Sequence, residues 1–216
     1  MKKSSRVILA LDETDREKAL SVADSVSGTV DAIKINWPLV LSAGPEMITE
    51  FSKRSDVICD FKVADIPNTV HLIVDLALKR GASGVIVHAF TGSDSLSEAV
   101  RTAEGRGSVY AVTEMSHPGG KEFTAPVAEQ LAQMGVKCGV KGFIAPATRP
   151  DRIAAIRRIA GPGMEILSPG VGAQGGSAAE AIKAGADYVI VGRAIYGAED
   201  PAAAARAFAA DVRSAL

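Results

Sequence analysis

Three charged residues at short spacing, Asp60, Lys62 and Asp65, follow the apolar run Val57-Ile58-Cys59. Alternation along a strand sends Asp60 and Lys62 to one face and Phe61 to the other. Pro67 marks the first turn of a helix, which places Asp65 in the connecting loop. An acid, an ammonium and a second acid are therefore expected to converge at one strand end, an arrangement that burial makes costly unless each charge is paired. A structural ion pair would account for a lone Asp-x-Lys. Clusters with several charges are more often sites whose titration is perturbed for use.

A second constellation points to phosphate. The stretch Ser168-Pro169-Gly170-Val171-Gly172-Ala173-Gln174-Gly175-Gly176 contains a G-x-G-x-x-G pattern at Gly170, Gly172 and Gly175. A dinucleotide fingerprint would need an acid at the end of the next strand, but Asp187 precedes that strand. Backbone N–H groups cradling a phosphate fit the pattern better. Gly192-Arg193 after the final apolar run adds a guanidinium suited to phosphate oxygens, unless Arg193 is simply a surface arginine. A phosphorylated substrate is expected. The three histidines, His71, His88 and His117, show no metal-ligand spacing; His71 reads as a surface or packing residue, and His88 as either a core imidazole or an orienting group.

Eight short apolar runs must position these groups: Val7-Leu11, Ala32-Ile35, Val57-Phe61, Gly84-Ala89, Val109-Met115, Gly142-Ala145, Glu165-Leu167 and Tyr188-Val191. Helical periods lie between them, as in Thr14 to Val26, Pro67 to Lys79 ending at Gly81, Asp151 to Ile159, and Pro201 to Val212. Strands apolar on both faces and each followed by a helix predict a parallel sheet, and eight such units predict a closed (β/α)8 TIM barrel over a single domain, residues 1–216. An open doubly wound sheet has the same period and is the competing architecture. In a barrel the site lies at the carboxyl ends of the strands, where polar residues concentrate: Asp12, Lys34 with Asn36, the Asp60 group, His88, Glu114 with Ser116, Pro146, the glycine loop, and Gly192-Arg193.

Composition narrows the class. With 216 residues and 47% hydrophobic content, one large core can form, and a net charge of -1 removes a general electrostatic case for nucleic acid or an anionic membrane. No apolar span is long enough to cross a bilayer, and the two cysteines form no disulfide framework, so a cytoplasmic protein is expected.

Taken together, these segments resemble the orotidine 5′-monophosphate decarboxylase family, particularly its short microbial form. The resemblance runs through Leu9-Ala10-Leu11-Asp12, Ile33-Lys34 with Trp37-Pro38-Leu39, Asp60 to Thr69, Thr113 to Gly119, Ser168 to Gly176 and Val191-Gly192-Arg193. It implies a cofactor-free decarboxylation of orotidine 5′-monophosphate in which Lys62 stabilises and then protonates a carbanion, with Asp60, Asp65 and Lys34 completing a charge array. It further implies that Asp12 and Lys34 bind ribosyl hydroxyls, Ser116 reads the pyrimidine, Gln174 bridges phosphate and base, and Gly192 and Arg193 hold phosphate, with Ile66 and Pro169 as further substrate contacts. Asp65 and Thr69 resemble residues that reach into the neighbouring site of a homodimer. Metal-dependent phosphosugar decarboxylases and aldolases share Asp-x-Lys-x-x-Asp, but their second strand ends in a Mg²⁺-binding glutamate where this chain has Lys34, whose ammonium would repel the cation. A barrel that binds nucleotide phosphate without turnover is the remaining alternative.

Overall fold

A computed structural model describes residues 1–216. Eight parallel strands close in sequence order, with β1 pairing both β2 and β8. They are β1 (Val7–Ala10), β2 (Ala32–Ile35), β3 (Asp56–Val63), β4 (Gly84–His88), β5 (Ser108–Val112), β6 (Gly142–Ile144), β7 (Glu165–Val171) and β8 (Tyr188–Val191). The closure excludes the open sheet. Around them run α1 (Arg16–Val26), α2 (Trp37–Ala43), α3 (Glu46–Ser52), α4 (Pro67–Lys79), α5 (Ser93–Ala103), α6 (Gly120–Phe123), α7 (Ala128–Cys138), α8 (Pro150–Ala160), α9 (Ala178–Lys183), α10 (Arg193–Tyr196) and α11 (Pro201–Ser214).

Both faces of the strands are apolar because both are covered. Ile8, Ile58, Ile86, Val112, Ile144, Leu167 and Ile190 fill the barrel interior, while Val7, Leu9, Ile33, Val57 and Val85 alternate outward into the layer beneath the helices. Local chemistry sets the helix ends. Asp15 caps α1 by accepting from the Lys18 N–H at 2.8 Å, which moves the start two residues beyond the expected Thr14. Gly81, with φ 97°, follows the end of α4 as anticipated. The long connection after β5 holds α6 and a 3₁₀ turn over Ala125–Val127.

Two strands run further than their apolar runs suggest, and both lead into the site. Pairing between β3 and β4 shifts between Cys59 and Val63, and within that bulge Lys62 adopts φ 43°. A non-glycine residue there carries strain of about 1–3 kcal/mol, tolerated where surrounding structure dictates it. β7 likewise continues through Pro169, with its register shifted between Pro169 and Val171 around Gly170, whose φ is 101°.

Candidate active site

A cleft of about 260 Å³ opens at the carboxyl ends of the strands, where the barrel places its variable chemistry. At its floor Asp60 is buried, with its side chain 8% exposed. Lys62 Nζ donates to both its oxygens at 2.8 and 2.9 Å, and Lys34 Nζ stands 2.8 Å from its Oδ2. Lys34 in turn lies 4.0 Å from Asp12 Oδ1. The four side chains alternate in charge along the wall: Lys62, Asp60, Lys34, Asp12. Burial alone would raise the Asp60 carboxyl, but the Lys34 and Lys62 ammonium groups overcome it and hold the acid below its ordinary range.

The bulge in β3 aims Lys62 into this cleft. Its turn is braced on the outside by Trp37, which stacks on Phe61 with ring centroids 4.5 Å apart and donates Nε1–H to the Phe61 carbonyl at 3.0 Å. On the next strand His88 has a buried Nδ1 with no partner, and its ring lies 4.7 Å from that of Phe90. Burial first, and the Lys62 charge second, push the imidazole down to about 4. It is a neutral neighbour of the lysine, and its unpartnered Nδ1 sets it apart from a satisfied core imidazole.

Asp12, Lys34, Asp60, Lys62, Ser116, Pro169, Gln174, Gly192 and Arg193 all line the cleft. Gln174 and Arg193 are exposed at its mouth. The three φ-positive glycines fold the seventh loop back on itself, with Gly176 N–H donating to the Gly170 carbonyl at 3.0 Å. The Ser177 side chain caps α9, and after the eighth strand Gly192 and Arg193, at the start of α10, reach the cleft.

Asp65, Ile66 and Thr69 do not line the cleft. The expected convergence of both acids on Lys62 within one chain is therefore corrected. Asp65 is exposed, its carboxylate accepts from the Ile66 N–H at 2.7 Å, and Ser95 Oγ donates to its carbonyl at 2.7 Å, which turns the loop away. His71 packs between helices, its Nδ1 3.0 Å from Thr102 Oγ1.

Sequence reasoning missed the support of the fifth loop. Glu114 is 1% exposed and accepts from Arg149 Nε and Arg152 Nε, both at 2.8 Å. Arg149 also donates to the carbonyls of Met115 at 2.6 Å and Ser116 at 3.3 Å. Ser116 is thus tied to the start of α8. The only signal was basic residues near a helix start, where the dipole disfavours them. No group of three or more His, Cys, Asp or Glu side chains is arranged to hold a metal ion.

Fold and site together define a (β/α)8 barrel of the Asp-x-Lys-x-x-Asp type. Residues 5–208 match the orotidine 5′-phosphate decarboxylase / HUMPS family, and the chain belongs to it. A protein of Methanococcoides burtonii named orotidine 5′-phosphate decarboxylase is 56% identical over 207 residues, covering 95% of this chain and 96% of its own. A protein of the same name from Methanosarcina barkeri is 53% identical, over 99% of this chain and 97% of its own. The crystal structure of the Methanocaldococcus jannaschii decarboxylase complexed with the inhibitor BMP superposes with a TM-score of 0.90 at 44% identity, covering 95% of this chain and 97% of that one.

Proposed function

We propose that the cleft decarboxylates orotidine 5′-monophosphate to uridine 5′-monophosphate, the last step of de novo pyrimidine synthesis, with Lys62 as the reacting group. Loss of CO₂ from C6 breaks the C6–carboxylate bond and leaves its electron pair in the ring plane, where the π-system cannot delocalise it. A cation fixed beside C6 must carry that charge. The observation that supports this role is the hold on Lys62, whose ammonium is gripped by both oxygens of a buried carboxylate that Lys34 keeps ionised. So placed, it stabilises the developing carbanion, gives it a proton as CO₂ leaves, and is reprotonated from water. Preorganisation of this kind is worth most in a site closed to solvent.

The rest of the cleft divides the substrate. Asp12 and Lys34 take ribosyl hydroxyls, Ser116 reads the amide edge of the pyrimidine, and Pro169 packs against the ligand. Gly192 and Arg193 hold the phosphate, and Gln174 bridges phosphate and base as the seventh loop closes. Grip on the distant phosphate assists chemistry at C6 by closing the loop and excluding water. The chain forms a single catalytic domain over residues 1–216, requires no cofactor, and works in the cytoplasm, where its free cysteines Cys59 and Cys138 stay reduced.

The working form is a homodimer in which Asp65, Ile66 and Thr69 complete the neighbouring site. Supporting this, Ile66 is 66% exposed, and Leu72 and Leu76, one turn apart on α4, are each 51% exposed. Exposed apolar side chains on the helix that follows Asp65 are suited to a partner copy. A metal-dependent phosphosugar reaction is disfavoured by Lys34, whose ammonium fills the space beside Asp60 that a divalent ion would need. Phosphate binding without turnover would need neither Asp60 nor Lys62.

Loss of orotidylate absorbance with purified protein treated with EDTA is the direct test. Decay at an enzymatic rate is expected. No decay would overturn the reading, and decay that returned only with Mg²⁺ would move the chain to the metal-dependent reactions.

A further inference from the structure

On the wall built by the ends of β1 and β2, two acceptor atoms are shut off from solvent and have no donor: Asp12 Oδ1 and Asn36 Oδ1. Both residues line the cleft, as does Lys34. The Lys34 ammonium is 4.0 Å from Asp12, beyond hydrogen-bond range, and its close contact is with Asp60 at 2.8 Å. Asn36 is especially telling because its position gives it another occupation that it does not take. It precedes α2 as the N-cap residue, where an asparagine ordinarily accepts from the N–H two or three residues on. Here the second helical residue is Pro38, which has no N–H, and no side-chain capping bond forms. The φ of Asn36 is -141°, an extended conformation open to any residue, so no backbone requirement selects it either. Neither capping nor conformation explains the amide, whose oxygen is left buried in a cleft.

A buried acceptor without a donor is destabilising, and a ligand that binds there gains by supplying one. The phosphate has only acceptors to offer, and the pyrimidine edge is assigned to Ser116, beyond β5 on the opposite side of the barrel. The part of the substrate that carries two adjacent O–H donors is the ribose. We propose that Asn36 is a further substrate-binding residue, accepting from one hydroxyl of the ribose diol while Asp12 accepts from the other, and that it sets selection for a sugar that carries the hydroxyl it holds. The inference rests on the decarboxylase reading and adds to it a specificity determinant.

The test compares kcat/KM of wild type, Asn36→Ala and Asn36→Asp on orotidylate and on its 2′-deoxy and 3′-deoxy analogues. Asn36→Ala should lose roughly tenfold on orotidylate, as expected for one hydrogen bond to a buried acceptor. The same variant should lose less than about twofold on the analogue that lacks the hydroxyl held by Asn36, since no bond remains to be lost there. Asn36→Asp keeps an acceptor of the same size and should keep the preference for orotidylate over that analogue. Asn36→Leu, of similar size without the acceptor, serves in place of alanine if that variant fails to fold. Equal losses on all three substrates would overturn the assignment and leave Asn36 a structural residue. Failure of the decarboxylase reading is separate, since it would show as wild-type protein inactive on orotidylate itself.

Discussion

The two ends of the barrel both bury charge, and they treat it in opposite ways. At the amino ends the acids beside the strand starts are satisfied within the chain. Glu165 accepts from the Tyr110 hydroxyl at 2.8 Å, and Asp187 accepts from Lys3, Arg157 and the Ile166 N–H. The Asp31 carboxylate accepts from the backbone N–H groups of Ser4, Ser5 and Arg6. At the carboxyl ends Asp12, Asn36 and His88 each keep a buried atom without a partner, and Lys62 sits at φ 43°. The same residue types thus serve stability at one end and hold unmet bonding capacity at the other. Positive φ occurs at both ends, at Arg6 before β1 and at Lys62, but buried groups without a partner gather at the carboxyl ends and mark the place where a ligand completes the structure.

The sharpest way to break this comparison is to remove the group that chemistry needs and the fold does not. In Lys62→Ala, Asp60 still has Lys34 at 2.8 Å, so the acid is not orphaned and the protein should fold. Turnover should fall by at least about 10⁴-fold, combining a lost electrostatic stabiliser and a lost general acid. Binding of uridine 5′-monophosphate should stay within roughly tenfold, because the lost interaction belongs to the transition state. Steady-state kinetics with a binding titration decide it, and nearly unchanged turnover would remove Lys62 from its role.

Arg193→Ala comes next in size. The guanidinium is exposed at the cleft mouth, poised for an anion that the chain does not provide. Its loss should lower kcat/KM on orotidylate by roughly 10²–10³-fold, about 3–4 kcal/mol for an ionic bidentate contact in a closed site. Activity on orotidine, which lacks the phosphate, should barely change. Equal losses on both substrates would make Arg193 a structural residue, and the two ends of the barrel would then be less different than they look.

A smaller effect tests whether the exposed third loop serves a partner. Lys62→Ala and Asp65→Ala proteins, each expected to be inactive alone, can be unfolded together and reassociated. If Lys62 and Asp65 of one site come from different chains, each mixed dimer holds one intact site and one doubly altered site. Random pairing makes about half the dimers mixed, so activity should return to roughly a quarter of wild type. No recovery, with mixed dimers confirmed by mass, would place Asp65 at its own chain's site.

The barrel was legible because its signals are local and repeated. Strands buried on both faces must be apolar throughout, as in Val7-Ile8-Leu9-Ala10, and α4 announces itself with Pro67 at its start and Gly81 past its end. Asp60, Lys62 and Lys34 were legible for a related reason, since strand ends in a barrel converge whatever their separation in sequence. What stayed hidden depends on geometry that spacing does not carry. Alternation alone put Asp60 and Lys62 on one face, but the contact is made through a bulge that no residue pattern announces. Asp65 leaves the cleft because Ser95, thirty residues on, holds its carbonyl. Asn36 could be placed at a strand end, but its lack of a capping bond shows only in three dimensions. Arg149 and Arg152 look like surface charge until Glu114 is seen between them.

The gentlest test of the contrast between the two ends is pH. His88 is buried beside Lys62 and titrates near 4 in the folded chain, against an ordinary value of 6.5. Between those values the unfolded chain binds a proton that the folded chain refuses, so stability rises with pH across that window. The contribution is complete above 6.5 and is lost as pH falls toward about 4. Asp60 behaves differently: its folded value is depressed below 3.8, so its contribution survives through that window and is lost only in stronger acid. Wild type should therefore lose thermal stability between pH 6.5 and 4 through His88, and His88→Gln, which does not titrate, should lose less. At roughly 2–4 °C per kcal/mol for a chain of this size, a difference of a few degrees is expected. Tm measured at several pH values and one protein concentration reads it, the fixed concentration removing any shift from subunit association. Parallel curves for the two proteins would mean that His88 finds a partner in solution, and the carboxyl end would then hold one fewer unmet group than its geometry shows.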